Sequence, residues 1–370
     1  MRVAFRVDAS VEIGSGHLMR CLTLADALAH HGAASVFVCR WLDPRQQALV
    51  QSCGHRVVRL PEVPEPVASP IQPPHAAWLR CDPVLDAQHT AEVLAVERPV
   101  GLVVDHYALD AAWERVAGVH AGWLAAIDDL ADRSHDVQLL LDGNAYADAD
   151  TRYDRHLLRS GTARLLGPDF ILLRAEFLAA RAAARPADER DRLFIGFGGV
   201  DRGNQSLATV RACRDLLAGG VGADIVVGAT FPGLSDLRRE LESHPAYSAT
   251  RLHVATDRMG ALMASARLAV AGGGTSVWER MCVGLPALVL ATAANQVEAL
   301  RYLGQRQALH FLGEAQAVSA QDIGMRVQAL WQDAPALARL AAAGQDLVDG
   351  RGAARVADAL LSLAPQDRHA

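Results

Sequence analysis

No lysine occurs anywhere in the 370 residues; all 36 basic side chains are arginine. That absence removes a Schiff-base lysine, a pyridoxal-phosphate anchor and a Walker-type phosphate loop, each of which needs a lysine amine. The abundant alanines beside these arginines read as the bias of a GC-rich genome, so the missing lysine constrains mechanism more than it reveals function. No apolar run approaches the roughly 18 residues needed to span a bilayer, and membrane insertion is not expected. A formal charge of −6 argues against a nucleic-acid partner, because neutralising phosphates takes a basic surface. The cysteines Cys21, Cys39, Cys53, Cys81, Cys213 and Cys282 form no C-x-x-C pair and no zinc spacing. Cys21 and Cys282 lie in apolar helical patterns and read as reduced core residues. The start, MRVAFRVDAS, reads as a first strand without the long apolar core of a signal peptide. A reduced, cytoplasmic protein is the expectation, with no cofactor and no metal-ligand cluster.

What is present is alternation. With 51% hydrophobic and 21% charged residues, the chain is too apolar for disorder, and its length suggests two domains. Short apolar runs of strand character recur at Val3–Val7, Ser35–Cys39, Val100–Val104, Trp123–Ile127, Leu193–Phe197, Asp224–Val227, Leu268–Ala271 and Ala287–Leu290. Helical patterns lie between them, such as Leu18–His30, Pro83–Glu97, Gln205–Ala218, Leu234–Ser243 and Gln296–Gly304. Continuous-apolar strands alternating with helices imply parallel sheets covered on both faces. The pattern restarts after the Ala/Arg/Asp-rich stretch Arg174–Arg192, which predicts an α/β protein of two Rossmann-like domains, residues 1–185 and 186–370. The last helical stretch, Ala336–Leu363, is expected to pack back toward the first domain. Pro61–Pro74 holds six prolines and predicts an exposed loop.

Four motifs sit where strands give way to helices. In Ile13-Gly14-Ser15-Gly16-His17, the glycines let backbone approach a ligand, and the helix start offers free N–H groups to an anion. The positive end of a helix disfavours an imidazolium at His17, leaving the neutral form that a general base needs; a histidine that merely fills the turn is the plainer reading. In Gly272-Gly273-Gly274-Thr275-Ser276, backbone N–H groups, two hydroxyls and a helix dipole converge in a way that suits a pyrophosphate. Glu279, one turn on, is placed to accept hydrogen bonds from a ribose diol. Phe197–Asn204 forms another glycine loop at a strand's carboxyl end, where ligands of such sheets bind, or else a plain turn. Asp105-His106-Tyr107 and Asp128-Asp129 are polar strand ends. Adjacent Asp128 and Asp129 point to opposite faces, so one would orient a partner while the other caps a turn. Asn295-Gln296 is either a helix cap or a polar contact.

Taken together, and in order over about residues 1–310, these pieces resemble the PseG-type nucleotide-sugar hydrolases. The resemblance rests on Arg6-Val7-Asp8-Ala9-Ser10, Ile13–His17, Arg20-Cys21-Leu22, Asp105-His106-Tyr107, Asp128-Asp129-Leu130, Gly167-Pro168, Leu173-Arg174, Gly198–Asp201, Gly272–Pro286 and Asn295-Gln296. It implies a GT-B fold like that of the lipid II glycosyltransferase MurG, with two Rossmann-like domains around a cleft. It implies hydrolysis of UDP-2,4-diacetamido-2,4,6-trideoxy-β-L-altropyranose to UDP and free sugar, a step toward pseudaminic acid, a nonulosonic acid. On this basis His17, Tyr107 and Asn295 are the catalytic residues, with Tyr107 and Asn295 near the sugar. Asp8, Gly14, Gly16 and Arg20 of the amino-terminal signature bind substrate, as do Gly273, Gly274, Thr275, Ser276 and Glu279, which hold the UDP. Gly274 stands where relatives often have serine, which removes one hydroxyl contact. Two other functions fit the same fold: a glycosyltransferase using a UDP-sugar donor, and a non-catalytic sugar-nucleotide-binding protein.

Overall fold

The computed structural model describes residues 1–10, 12–63 and 75–364, so most of the proline-rich Pro61–Pro74 stretch lies outside the described residues. The chain divides into two compact units: residues 1–144, 148–173 and 351–370 form one, and residues 145–147 and 174–350 the other.

In the first unit, strands β1 (Arg2–Val7), β2 (Ala34–Cys39), β3 (Arg56–Arg59), β4 (Gly101–Asp105), β5 (Leu124–Ile127), β6 (Leu139–Asp142) and β7 (Ala163–Leu166) form a sheet. Its order is β3-β2-β1-β4-β5-β6-β7, and every pairing is parallel. Helices α1 (Gly16–His30), α2 (Pro44–Ser52), α3 (Pro83–Glu97) and α4 (Ala111–Ala117) make the crossovers. The central strands are buried on both faces, which explains why they read as unbroken apolar runs. Helix α1 buries Leu18, Cys21, Leu22, Ala25 and Leu28, spaced three and four apart along one stripe. Asp43 and Asp82 cap α2 and α3, each with proline at the first helical position. β3 and β7 lie at the sheet's edges and are half exposed, so neither shows an apolar run.

In the second unit, α5 (Ala175–Ala183) precedes β8 (Arg192–Gly196), α6 (Gln205–Ala212), α7 (Arg214–Ala218), β9 (Gly222–Val227), α8 (Leu234–Ser243) and β10 (Thr250–Val254). There follow α9 (Met259–Ser265), β11 (Ala266–Gly272), α10 (Ser276–Val283), β12 (Ala287–Ala291), α11 (Val297–Gln305), β13 (His310–Glu314), α12 (Ala320–Gln332) and α13 (Ala334–Leu347). The sheet is again wholly parallel, in the order β10-β9-β8-β11-β12-β13.

The division expected near residue 185 falls instead between Leu173 and Arg174, because α5 packs on α9 and α10 of the second unit. The helical stretch at the carboxyl end is interrupted at Gly350, whose φ is +81°. Before it, α13 lies on α10; after it, α14 (Gly352–Ser362) lies on α1 of the first unit. Gly352 is required there, since a Cβ would stand 2.3 Å from the backbone oxygen of Ile171.

In each sheet the strand order reverses at one point, between β1 and β4 and between β8 and β11. Helices leave on opposite sides of such a point, and the strands' carboxyl ends are left open to a ligand. The candidate groups lie at these two places.

Candidate functional site

In the first unit, Val7 at the end of β1 pairs in register with Asp105 at the end of β4. The loop after β1 turns on a backbone bond from Gly14 N–H to the Ser10 carbonyl, with Gly14 at φ +79°. Gly16 then opens α1 and places His17 in its first turn. The His17 Nδ1 lies 2.6 Å from Asp105 Oδ1. Arg20, one turn on, donates Nε to Asp105 Oδ2 and Nη2 to Oδ1, both at 2.6 Å. Burial alone would raise the Asp105 carboxyl, but Arg20 and His17 outweigh it and hold it well below the usual range. Arg20 Nη2 also lies 3.3 Å from His17 Nδ1, but an ionised Asp105 can only accept, so the shorter contact to it assigns the hydrogen to Nδ1 and leaves the Nε2 lone pair bare. Nε2 has no hydrogen-bond partner among the described residues. A histidine so oriented is built to take a proton from a bound water.

Around this dyad lies a second layer. Arg20 Nη1 donates to Asp129 Oδ2 at 2.6 Å, and Tyr107 donates its hydroxyl to the same oxygen. Asn144 Nδ2 bridges Asp129 Oδ1 and Asp142 Oδ1, each at 2.9 Å. Burial, with Asp129 beside it, pushes the Asp142 carboxyl up to about 7. The Tyr107 ring meets His17 edge-on at 4.5 Å and stacks on Trp78 at 5.5 Å between centroids, with His75 at 4.7 Å from Trp78.

Asp8 has a different setting. It is fully buried, and its Oδ1 accepts the backbone N–H groups of Arg40 (2.7 Å) and Trp41 (3.1 Å) while Arg6 Nη1 lies 2.8 Å away. Arg6 and Arg40 both bond Asp86, which they hold at about 2 against the effect of burial. The lattice ties β1, β2 and α3 together below the loop that carries His17.

In the second unit, β11 runs into Gly272–Thr275 and the start of α10. Gly273 has no room for a side chain, since a Cβ would lie 2.3 Å from Leu300 Cδ1; at Gly274 the space is open. Thr275 is exposed and Ser276 partly so. Glu279 is only 17% exposed and lies 3.6 Å from Arg174, and its carboxyl is raised by burial despite that cation. Asn295 is exposed in the turn after β12. Its neighbour Gln296 closes that turn, its Oε1 accepting from the Thr292 N–H (2.9 Å) and hydroxyl (3.2 Å). The Phe197–Asn204 loop lines a cavity of about 520 Å³ with Thr292, Ala294 and Glu314. It is held by Asp201, whose carboxylate accepts the first N–H groups of α6 from Gln205 and Ser206.

The chain is distantly similar to a UDP-sugar hydrolase and to a sugar-biosynthesis protein. No family model matches it. It is 28% identical over 203 residues to the spore coat polysaccharide biosynthesis protein SpsG of Bacillus subtilis, covering 54% of this chain. The matched region spans only 59% of that relative's length. It is 23% identical over 309 residues to the UDP-2,4-diacetamido-2,4,6-trideoxy-beta-L-altropyranose hydrolase of Campylobacter jejuni, covering 83% of this chain and 97% of that one. Among solved structures, MurG of Acinetobacter baumannii superposes with a TM-score of 0.63 at 11% identity, over 98% of this chain and all (100%) of that one. The kitacinnamycin glycotransferase does so with a TM-score of 0.66 at 17% identity, over 98% and 99%. The architecture is therefore that of GT-B glycosyltransferases: two parallel-sheet α/β units.

Of the residues singled out in the sequence, His17, Arg20 and Tyr107 form one cluster in the first unit, with Gly14 and Gly16 shaping its loop. Gly273, Gly274, Thr275, Ser276, Glu279 and Asn295 belong to the second unit. Asp105 was visible only as part of a strand-end motif, yet it holds both His17 and Arg20. Trp78 and His75 were not singled out at all; the available signal was an aromatic and a histidine directly after a proline-rich stretch. Asn144 carried no signal, because a bridging amide depends on what folds beside it. Among the described residues no His/Cys/Asp/Glu group is arranged to hold a metal, and no helix is long and apolar enough to cross a membrane.

Proposed function

We propose that this protein hydrolyses a UDP-linked 2,4-diacetamido-2,4,6-trideoxy sugar at its anomeric carbon, with inversion, as a step toward a nonulosonic acid such as pseudaminic acid. The observation that carries the reading is the His17–Asp105 contact of 2.6 Å, which leaves Nε2 bare. Similarity to the Campylobacter hydrolase along nearly its whole length supports the choice of substrate.

In the proposed step His17 Nε2 takes a proton from water as the water oxygen bonds to the anomeric carbon. The bond from that carbon to the diphosphate oxygen breaks, and its electron pair leaves with UDP. Asp105 holds the ring and stabilises the imidazolium that forms. UDP is a stabilised anion and needs cradling by donors more than a strong acid. The free N–H groups and hydroxyls at the start of α10 supply that cradle, with Glu279 on the ribose. Tyr107 and Asn295 contact the sugar, and Gly14, Gly16, Arg20 and Asp8 hold the catalytic loop in place. A soluble, cytoplasmic enzyme without a metal or cofactor fits these roles.

A glycosyl transfer to an acceptor is the second reading, favoured by the glycosyltransferases among the structural neighbours. One anomeric NMR time course decides. The protein is mixed with a panel of UDP-diacetamido sugars, with EDTA and without an acceptor. Release of free sugar with inverted configuration is expected; no release until an acceptor is added would replace hydrolysis with transfer.

A further inference from the structure

The start of α10 holds a feature that a structural turn does not require. Arg280 is 1% exposed, and among the described residues the charged group acting on it is its chain neighbour Glu279. Three other arginines face carboxylates: Arg6 meets Asp8 and Asp86, Arg20 meets Asp105 and Asp129, and Arg133 meets Asp128; buried Arg190 clamps carbonyl oxygens instead. Arg280 instead donates Nη1 to Ser276 Oγ and Nη2 to the Gly272 carbonyl, both at 2.9 Å. Its buried Nε has no hydrogen-bond partner among the described residues. Burial lowers its pKa to about 10, so at neutral pH it remains a cation, with no carboxylate in ion-pair contact among the described residues. A buried charge in that condition is costly until an opposite charge arrives.

The surrounding donors point the same way. The Gly272 carbonyl, which would repel an anion, is occupied by the guanidinium. Ser276 accepts from Arg280 and so keeps its own hydroxyl hydrogen for another acceptor. The N–H groups of Gly274, Thr275 and Ser276 have no partner among the described residues. The loop therefore presents hydrogen-bond donors above a buried positive charge.

We propose that Arg280 is the buried counter-charge of a diphosphate site at Gly274–Ser276, a positioning residue that acts through Ser276 and Gly272 and favours two phosphates over one. The inference deepens the UDP-sugar reading and rests on its nucleotide site. Arg190 supplies the control, because it is a carbonyl clamp in the same unit, bonded to the Arg185 and Ala266 oxygens.

The test is calorimetric binding of pyrophosphate, UDP and UMP to the full chain, as wild type, Arg280→Gln and Arg190→Gln. Arg280→Gln is expected to weaken pyrophosphate and UDP at least ~10-fold, the size of a lost charge-assisted hydrogen bond, and UMP clearly less. Arg190→Gln is expected to leave all three unchanged. Equal weakening of UDP and UMP would reduce Arg280 to a structural clamp, and unweakened pyrophosphate would overturn the proposal. Wild type that binds pyrophosphate but not UDP sinks the nucleotide reading alone. Wild type that binds UDP with no loss in Arg280→Gln sinks this inference alone; wild type that binds neither sinks both. Should Arg280→Gln fail to fold, ¹⁵N-arginine NMR of the wild type serves instead. The buried Arg280 Nε–H resonance, assigned with Arg280→Lys, must shift with pyrophosphate, and an unmoved signal refutes the role.

Discussion

His17 and Asp105 stand 88 positions apart in the chain and meet at 2.6 Å, because β1 and β4 are neighbours at the point where the first sheet reverses its strand order. In the proposed step the carboxylate fixes the ring's tautomer, and the opposite nitrogen takes the proton.

Replacing His17 by Phe removes the base and leaves the second unit untouched. The hydrolysis rate should fall about 10²–10⁴-fold while UDP affinity, measured by calorimetry, stays within about twofold of wild type. A His17→Phe enzyme of normal rate would discard the proposed base.

Asp105→Asn keeps the shape and changes the partner. An amide facing Nδ1 favours the wrong tautomer, so kcat should drop about 10²-fold or more with KM little changed. A thermal melt run alongside guards against a folding defect, since Arg20 also loses an anion. Unaltered kcat in a folded variant would show that the contact is only structural.

Asp142 predicts a stability trend with pH. Its carboxyl is raised in the folded state to about 7, so its contribution is fully present below the unfolded value near 4. That contribution is lost as pH rises through about 7. Geometry agrees: the Tyr153 hydroxyl lies 2.9 Å from Asp142 Oδ2 and 3.1 Å from the Asp128 carbonyl. Tyr153 has one hydrogen, so a protonated Asp142 fills both contacts: it donates to the Tyr153 oxygen while Tyr153 donates to the Asp128 carbonyl. Asp142→Asn should raise the melting temperature at pH 8 relative to wild type and change it little at pH 4.5. A gain of equal size at both values would contradict the assignment.

Gly228 faces the Phe197–Asn204 loop so closely that a Cβ would lie 2.0 Å from the Gly199 carbonyl oxygen. Backbone cannot give way as a side chain does, so Gly228→Ala should cost about 1–3 kcal/mol in a denaturant melt. Gly274→Ser, in open space, should cost nothing measurable.

Much of the architecture was legible before folding. The eight apolar runs read as strands are all strands, because central strands of a parallel sheet are buried on both faces and show it as unbroken hydrophobicity. Five strands were not read: the edge strands β3, β7, β10 and β13, and the interior strand β6, whose four buried residues Leu139–Asp142 make only a short run. Each edge strand is partly exposed and lacks the run, as the register of pairing, not local composition, makes them strands. The domain division was expected too late along the chain, since α5 looks like a linker until its partners α9 and α10 are in place.

The same split runs through the chemistry. Sequence alone determined the missing lysine, the two glycine-rich helix starts, and that any cationic help for an anion must come from arginine or backbone N–H groups. It placed His17 at a helix start, a local property of spacing. Which arginine is left without a carboxylate partner was a tertiary matter. Arg6 and Arg20 are committed to carboxylates brought by α3, β4 and the loop after β5, and Arg280 alone of the three is buried without an ion-pair partner among the described residues. A charge's worth depends on what surrounds it within a few ångströms, and that neighbourhood is assembled from residues far apart in the chain.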